Sequence, residues 1–202
     1  MTSNALFLAS QPGLDFLNTR FARLPEGTPV EVIGDGAAFL SWLVEASLLE
    51  RAVATRLTRR FSAAQLDAAA ADARKLRHWA EDWIARWREH PDADFAAELR
   101  RLNGLLERVS AYRSVAARSG KFAVTEHARI EAPGDLLGLV AWQVAKLVLE
   151  ESPELVKRCA GSGCVLWFLD RTKAHRRVFC SAQACGNRAK VAAFRERQRE
   201  SR

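Results

Sequence analysis

The segment CSAQACGNRAK (residues 180–190) contains two of the four cysteines in the chain, with four residues between them. Cys159 and Cys164 have the same spacing, and fifteen residues separate the two pairs. Two close pairs of thiols joined by a short insert can bring four thiolates to one tetrahedral zinc ion. The pattern therefore predicts one structural zinc ion per chain, with these ligands: Cys159, Cys164, Cys180 and Cys185.

The insert between the two pairs offers a way to close this site. VLWFLD (residues 165–170) and RRVFC (176–180) are typical of two short strands, and the polar turn RTKAH (171–175) joins them. Such a hairpin would return the chain so that Cys180 lies beside Cys164. Because a region this small cannot build its own hydrophobic core, the metal would supply the missing stability.

Two other uses of the thiols stay open: a disulfide or redox pair, and four unrelated buried cysteines. Redox thiols usually occur as Cys-x-x-Cys near a βαβ unit, which is a closer spacing than the one found here. Unrelated cysteines would not be expected as two identically spaced pairs. His175 could join the site, but four thiolates already complete a closed tetrahedron, so we expect His175 in the exposed turn.

The charge of the chain is divided unevenly. Residues 157–202 carry 12 basic and three acidic side chains, whereas the first 156 residues carry 19 basic and 21 acidic ones, so the net charges are +9 and −2. The cysteines also lie in the basic part. This division indicates two functional units, which we place at residues 1–153 and 154–202.

A basic helix is predicted after Cys185. Asn187 is a good N-cap, and at about 100° per residue Arg188, Arg195, Arg199 and Arg202 lie on one face of the helix. Such a face suits a phosphate backbone, because each neutralised phosphate releases counterions. The predicted nucleic-acid contacts lie on this helix and in the insert: Arg188, Lys190, Arg195, Arg199, Arg171, Lys173, Arg176 and Arg177. The alternative is a solvated basic helix, which the opposite placement of Lys190 favours. RNA is a further alternative, although the tail offers few aromatic side chains for stacking.

The first 153 residues contain residue types that commonly begin helices. Asp35, Ser62 and Pro133 are placed to begin helices. Two β-favouring runs around Ser119-Gly120 predict a hairpin, and GTPVEVIGDG (residues 27–36) predicts a loop. This part of the chain is therefore expected to be helical with one small β element.

An aromatic stripe lies on the longest predicted helix, where Trp79, Trp83 and Trp87 recur at helical spacing. It could line a pocket for a small hydrophobic effector. Such a stripe is more often core or an oligomer interface, so a homodimer is the other use we expect. Asn18 is a further candidate for the pocket, although a polar side chain in an apolar segment more often caps a helix or satisfies buried backbone.

Neither catalysis nor membrane insertion is predicted. The chain lacks dinucleotide-binding, phosphate-loop, nucleophile-elbow and His-Glu-x-x-His motifs, and zinc held by four thiolates has no open position for chemistry. We therefore predict that the protein is not an enzyme. The longest apolar stretch, LLGLVAWQVAKLVL (residues 136–149), is shorter than a membrane span and is interrupted by Gln143 and Lys146. We expect a cytoplasmic protein whose thiols stay reduced.

Two segments carry a family resemblance. CAGSGCVLWFLDRTKAHRR (residues 159–177) followed by CSAQACGNRAK resembles the CGNR zinc finger, which is named for its Cys-Gly-Asn-Arg signature. GLDFLNT (residues 13–19) resembles the Leu-Asp-Phe-x-Asn-Thr signature of the ABATE domain, which precedes this finger in bacterial proteins. The chain departs from the finger's pattern in the turn TKAH (residues 172–175), where Ser-Arg-Asn is common, and at Phe179, where Trp is common. The departures touch none of the four cysteines onto which the family's metal ligands map.

The resemblance implies a bacterial, stress-induced transcription regulator with a C-terminal DNA-binding zinc finger. The expected fold class is mainly α with small β-hairpins (α+β): a helical N-terminal domain followed by a small treble-clef-like zinc finger. The expected function is that of a zinc-containing DNA-binding regulator whose helical domain senses a small-molecule effector or oligomerises. The alternative is a ligand-binding or protein-interaction module in which the zinc finger is a structural docking element.

Overall fold

A computed structural model of the chain describes residues 7, 9, 11–23, 27–118 and 120–200. Within them the helices are α1 (Pro12–Leu17), α2 (Gly36–Glu45), α3 (Arg51–Arg60), α4 (Ala63–Glu89), α5 (Ala96–Leu106), α6 (Leu136–Glu150) and α7 (Asn187–Glu200). The strands are β1 (Arg20–Arg23), β2 (Thr28–Glu31), β3 (Ser110–Arg118), β4 (Lys121–Arg129), β5 (Val156–Arg158) and β6 (Trp167–Leu169). The strands form three two-stranded antiparallel sheets, β1–β2, β3–β4 and β5–β6. The expected class, mainly α with small β-hairpins, is confirmed.

The predicted helix starts are confirmed. The Asp35 carboxylate accepts a hydrogen bond of 2.7 Å from the Ala38 amide and so caps α2. Ser62 and Gln65 form a capping box at the start of α4, in which the Gln65 side chain accepts from the Ser62 amide at 3.0 Å. Pro133 begins a short 3₁₀ turn that leads into α6. Local capping chemistry is thus enough to position these helices.

The β3–β4 hairpin is also confirmed. Its two strands are in register from Ser110, opposite Arg129, to Arg118, opposite Lys121. Ser119, in the predicted turn, lies outside the described residues. His127 fastens the hairpin to the start of α3, because its Nδ1 lies 2.8 Å from the Glu50 carboxylate.

The loop predicted for residues 27–36 was wrong in part, since residues 28–31 form β2 and pair with β1. A residue far along the chain fixes the position of β2. The guanidinium of Arg77, on α4, donates to both oxygens of Glu31 at 2.8 and 2.6 Å and to the Thr19 hydroxyl at 2.8 Å. Arg77 is almost fully buried, so it needs these partners. The described part of residues 1–153 therefore contains two pairs of β-strands and not one.

The hairpin predicted within the cysteine insert was wrong in its pairing. β6 pairs with β5, which precedes the first cysteine, and residues 176–180 form no strand. The first cysteine pair therefore lies in the loop between two paired strands. The chain then passes through an irregular segment to a short helical turn (Ala182–Gly186) and α7. A hairpin carrying one cysteine pair, followed by a helix start carrying the other, is the order expected of a treble-clef-like finger.

One hydrophobic core runs through most of the chain. Leu14 and Phe16 of α1, Trp42 of α2 and Val144 of α6 are all fully or almost fully buried in it. Val156, Trp167 and Leu169, from β5 and β6, belong to the same core. The predicted boundary at residue 153 stays a prediction, and the core continues across it. In the part of the chain that the structure describes, no helix has the length and apolarity needed to cross a bilayer.

Candidate zinc site

The four cysteine sulfurs converge at one point. All of their Sγ atoms lie within 4.8 Å of one another. The Cys164–Cys180 and Cys180–Cys185 separations are 3.8 and 3.6 Å. Four sulfurs placed tetrahedrally about 2.3 Å from a zinc ion lie about 3.8 Å apart, so the observed spacing fits zinc. The cluster is the single zinc site that the cysteine spacing predicts.

Local backbone structure positions the first pair of ligands, Cys159 and Cys164. Cys159 follows β5 directly, and Cys164 comes before β6, after a turn in which Gly163 has φ of +71°. Gly161 lies against the sulfurs, since a Cβ there would come within 3.1 Å of the Cys185 Sγ. A side chain at position 161 would have to displace these sulfurs by a few tenths of an ångström. The positive φ of Gly163 and the close approach of Gly161 to the sulfurs both favour glycine in the first loop.

Hydrogen-bond donors surround the sulfurs. The amides of Gly161 and Cys180 donate to the Cys159 Sγ at 3.4 and 3.3 Å. The Arg188 guanidinium donates to the Cys185 Sγ at 2.9 Å. A zinc ion with four thiolate ligands carries a net charge of −2, which these donors partly offset. Outer donors of this kind tune metal affinity as well as holding the ligands in place.

The thiols cannot all ionise together without a cation. The hydrogen bond from Cys180 lowers the pKa of Cys164 to about 5. The same interaction raises the pKa of Cys180 well above its usual range, and burial raises the pKa of Cys185 to about 11. A first thiolate thus makes each further deprotonation harder. Zinc reverses this, because a bound divalent cation stabilises all four thiolates.

The geometry favours zinc over the two competing uses of the thiols. All four cysteines are free in the structure, and the Cys180 and Cys185 sulfurs are 3.6 Å apart, against about 2.05 Å for a disulfide bond. Their convergence also excludes four unrelated buried cysteines. His175 stands apart in an exposed turn, where its Nδ1 lies 3.2 Å from the carbonyl oxygen of Asp170.

Asp170 organises the segment between the cysteine pairs. Its carboxylate is fully buried and accepts from Lys157 Nζ at 2.7 Å, from the Thr172 hydroxyl at 2.6 Å and from the Arg177 amide at 2.9 Å. Burial alone would raise the pKa of Asp170, but these donors hold it well below its usual range. Residues 171–177 therefore wrap around a carboxylate, which explains why they do not form the predicted hairpin.

The structure divides the predicted nucleic-acid residues into two groups. Lys173, Arg176, Lys190, Arg195 and Arg199 are exposed. The others have protein partners. Arg171 binds Glu151 at 2.5 Å, and Arg188 binds the Cys185 sulfur. Arg177 donates to the carbonyl oxygens of Phe179 and Cys180, and its guanidinium lies 4.6 Å from the Phe168 ring centre. Arg202 lies outside the described residues.

The residues suggested for an effector pocket serve the core. Trp83 is buried, and Trp79 and Trp87 are partly buried against the core, with the Trp79 and Trp83 ring centres 5.3 Å apart. Both ends of the Asn18 side-chain amide bind the backbone of Trp167. These side chains are therefore occupied by packing and hydrogen bonds within the protein.

Sequence reasoning missed two functional contacts of the finger. Arg188 follows Cys185 by three residues, and that helical spacing was a usable signal for its contact with sulfur. The link from Asn18 to Trp167 spans 149 residues and has no local signal.

Comparison with known proteins gives two matches. Residues 10–151 match the model of the ABATE family, described as "Putative stress-induced transcription regulator". Residues 156–198 match the model of the CGNR zinc finger. No curated protein matches the chain.

Proposed function

The chain belongs to the ABATE family and ends in a CGNR zinc finger, and from this premise we propose that it is a DNA-binding regulator of transcription. Zinc fixes the finger, and the finger presents basic side chains to the phosphates of duplex DNA. The protein acts in the cytoplasm, where its thiols stay reduced and available to zinc.

The observation that carries this proposal is the exposure of α7. The helix begins directly after the zinc site, and every residue from 190 to 199 is exposed. Arg195 and Arg199 lie on one face of the helix, since they are four residues apart. A helix of 14 residues is about 21 Å long and can lie along a groove or backbone of DNA.

A cavity supports a sensing role for the helical part. It has a volume of about 450 Å³ and lies between the β3–β4 hairpin and α6. Apolar side chains line it, among them Leu48, Leu106, Leu139 and Trp142, together with polar ones that include Glu126, whose carboxylate also binds Arg113 at 3.2 Å. This size and lining suit a small hydrophobic effector with one polar or cationic group. The pocket differs from the tryptophan stripe suggested by the sequence.

The test is duplex DNA binding across a salt series. We compare the intact chain with R195A/R199A and with the control R56A/R59A, which removes two exposed arginines from α3. If both α7 arginines neutralise phosphates, their loss reduces the slope of log K against log salt by about 2. The control keeps the slope of the intact chain. Absence of DNA binding by the intact, zinc-loaded chain at low salt overturns the proposal.

A protein-interaction module is the second candidate, and a specific observation favours it. Val191 and Phe194 on α7 are 41% and 56% exposed. Apolar side chains on an otherwise charged helix are suited to a partner protein or a second copy of the chain. Self-association that resists salt and is lost in F194S supports this candidate, whereas steep salt dependence of DNA binding supports the regulator.

A further inference from the structure

A second cationic surface is formed by residues outside α7. A cleft of about 640 Å³ is formed where the end of α4 meets β5 and the segment after Asp170. Five basic side chains line it: Arg88, Lys157, Arg158, Arg176 and Arg177. Glu154 contributes a carboxylate to the same lining. The cleft therefore combines residues from both sides of the predicted boundary at residue 153.

Two of these basic side chains have partners within the protein. Lys157 forms an ion pair with the buried Asp170, and the Arg177 guanidinium is bound to backbone carbonyls. Among the described residues, Arg88, Arg158 and Arg176 make no ion pair. Glu81 senses the charge of Arg158 but makes its own contact with His78, at 3.4 Å. Besides Arg177, which keeps its charge, the cleft thus retains three cations with no ion-pair partner among the described residues.

Arg88 and Arg158 both lie near the same aromatic ring. Their guanidinium carbons lie 6.0 and 5.6 Å from the centre of the Trp167 ring. Trp167 is itself buried, and its backbone is fixed by Asn18. Both guanidinium groups are thus placed in the cleft by a fixed indole ring, and neither forms an ion pair with a described residue that would compete with an anion.

Guanidinium groups suit phosphate as well as carboxylate, because their planar donors can form two parallel hydrogen bonds to either anion. We propose that this cleft binds a backbone phosphate of duplex DNA through Arg88 and Arg158. The inference rests on the proposed DNA-binding function and extends it. The DNA interface includes α4 of the helical domain and is not confined to the finger.

The experiment measures duplex DNA affinity across a salt series for R88A, R158A and the control R56A. Loss of one phosphate contact reduces the slope of log K against log salt by about 0.9 and weakens binding roughly eightfold at about 0.1 M salt. We expect this result for R88A and R158A, and no change for R56A. R88K, which keeps the charge, restores the slope. R88A is the decisive variant, because Arg158 adjoins Cys159 and its loss can disturb zinc.

The outcomes separate this inference from the function on which it rests. If R195A/R199A reduces the slope but R88A and R158A do not, the cleft is no part of the interface and the inference fails alone. If the intact chain does not bind duplex DNA, the proposed function fails and this inference fails with it. Inorganic pyrophosphate is then added to the intact chain and to R88A. Binding that is lost in R88A would assign the cleft to a small phosphorylated ligand.

Discussion

Asn18, at the end of α1, binds both backbone polar groups of Trp167 in β6. Its Nδ2 donates to the Trp167 carbonyl oxygen at 2.9 Å, and its Oδ1 accepts from the Trp167 amide at 2.8 Å. The side chain thereby takes the place of a neighbouring strand along the free edge of β6. It joins the two segments of the chain that match different family models.

Replacing Asn18 tests the importance of these two hydrogen bonds to Trp167. N18A leaves a buried N–H and a buried C=O without partners, so we expect the free energy of unfolding to fall by about 2 to 4 kcal/mol. Because β5 and β6 share the main core, zinc release and loss of helical circular dichroism should occur at the same urea concentration. N103A is the matched control, since Asn103 is exposed on α5. Separate transitions in the intact chain would contradict a shared core.

Metal removal tests the cysteine cluster. We expect one zinc ion per chain in purified protein by elemental analysis, and none in C185S. Without zinc the four sulfurs have no common partner, so α7 and the loop that carries Cys159 and Cys164 should lose protection from hydrogen exchange. A chain that holds far less than one zinc ion yet keeps this protection would show that the fold does not depend on the metal.

The signature arginine gives a prediction that separates two roles. Arg188 donates to the Cys185 sulfur, so we expect R188A to weaken zinc affinity by about 10- to 100-fold in a chelator competition. The salt dependence of DNA binding by the zinc-loaded variant should be unchanged. R195A should behave in the opposite way, with normal zinc affinity and a smaller salt slope. If R188A reduces the slope and leaves zinc affinity intact, Arg188 is a phosphate contact after all.

Parts of this structure follow from local sequence, and others depend on distant partners. The zinc ligands, the Asp35 cap and the helix start at Ser62 each depend on residues close together in the sequence, and each was predicted. β2 was missed because it is fixed by Arg77, which lies 46 residues from Glu31. The predicted pairing within the insert was wrong, because its strand-like pattern does not indicate that the Asp170 carboxylate is buried. The segment after Asp170 binds this carboxylate and does not form a strand. The features that the sequence did not predict therefore depend on polar contacts between residues far apart in the chain.

Acid should expose the role of Asp170. Its folded-state pKa is lowered by donors despite burial, so it contributes stability above the unfolded pKa of about 3.9. That contribution is lost as pH falls below about 4, towards the folded pKa. We expect D170N to destabilise the protein strongly at pH 7 and to lose less stability than the intact chain between pH 5 and 3. D72N is the control, since Asp72 forms an exposed pair with Lys75. Equal acid sensitivity in D170N would assign the effect to protonation of the zinc ligands.

The β3–β4 hairpin carries a hydrogen-bond chain with the order of a serine hydrolase triad. The Ser114 Oγ lies 2.7 Å from His127 Nε2, and His127 Nδ1 lies 2.8 Å from the Glu50 carboxylate. We nevertheless predict a structural role. A nucleophilic serine also needs fixed N–H donors around the developing oxyanion in a water-excluded site. Ser114 lies in the middle of a regular two-stranded ladder, and its neighbour Val115 is 68% exposed.

Hydrolysis of an activated ester distinguishes a structural role of Ser114 and His127 from a catalytic one. We expect the intact protein, S114A and H127Q to hydrolyse p-nitrophenyl acetate at the same background rate, with S110A as the control on the same strand. H127Q should lower the melting temperature, because it breaks the connection between the hairpin and α3. A stoichiometric burst of p-nitrophenol that is lost in S114A would require an acyl-enzyme. It would overturn the prediction that this protein is not an enzyme, because Ser114 would then act as a nucleophile activated by His127.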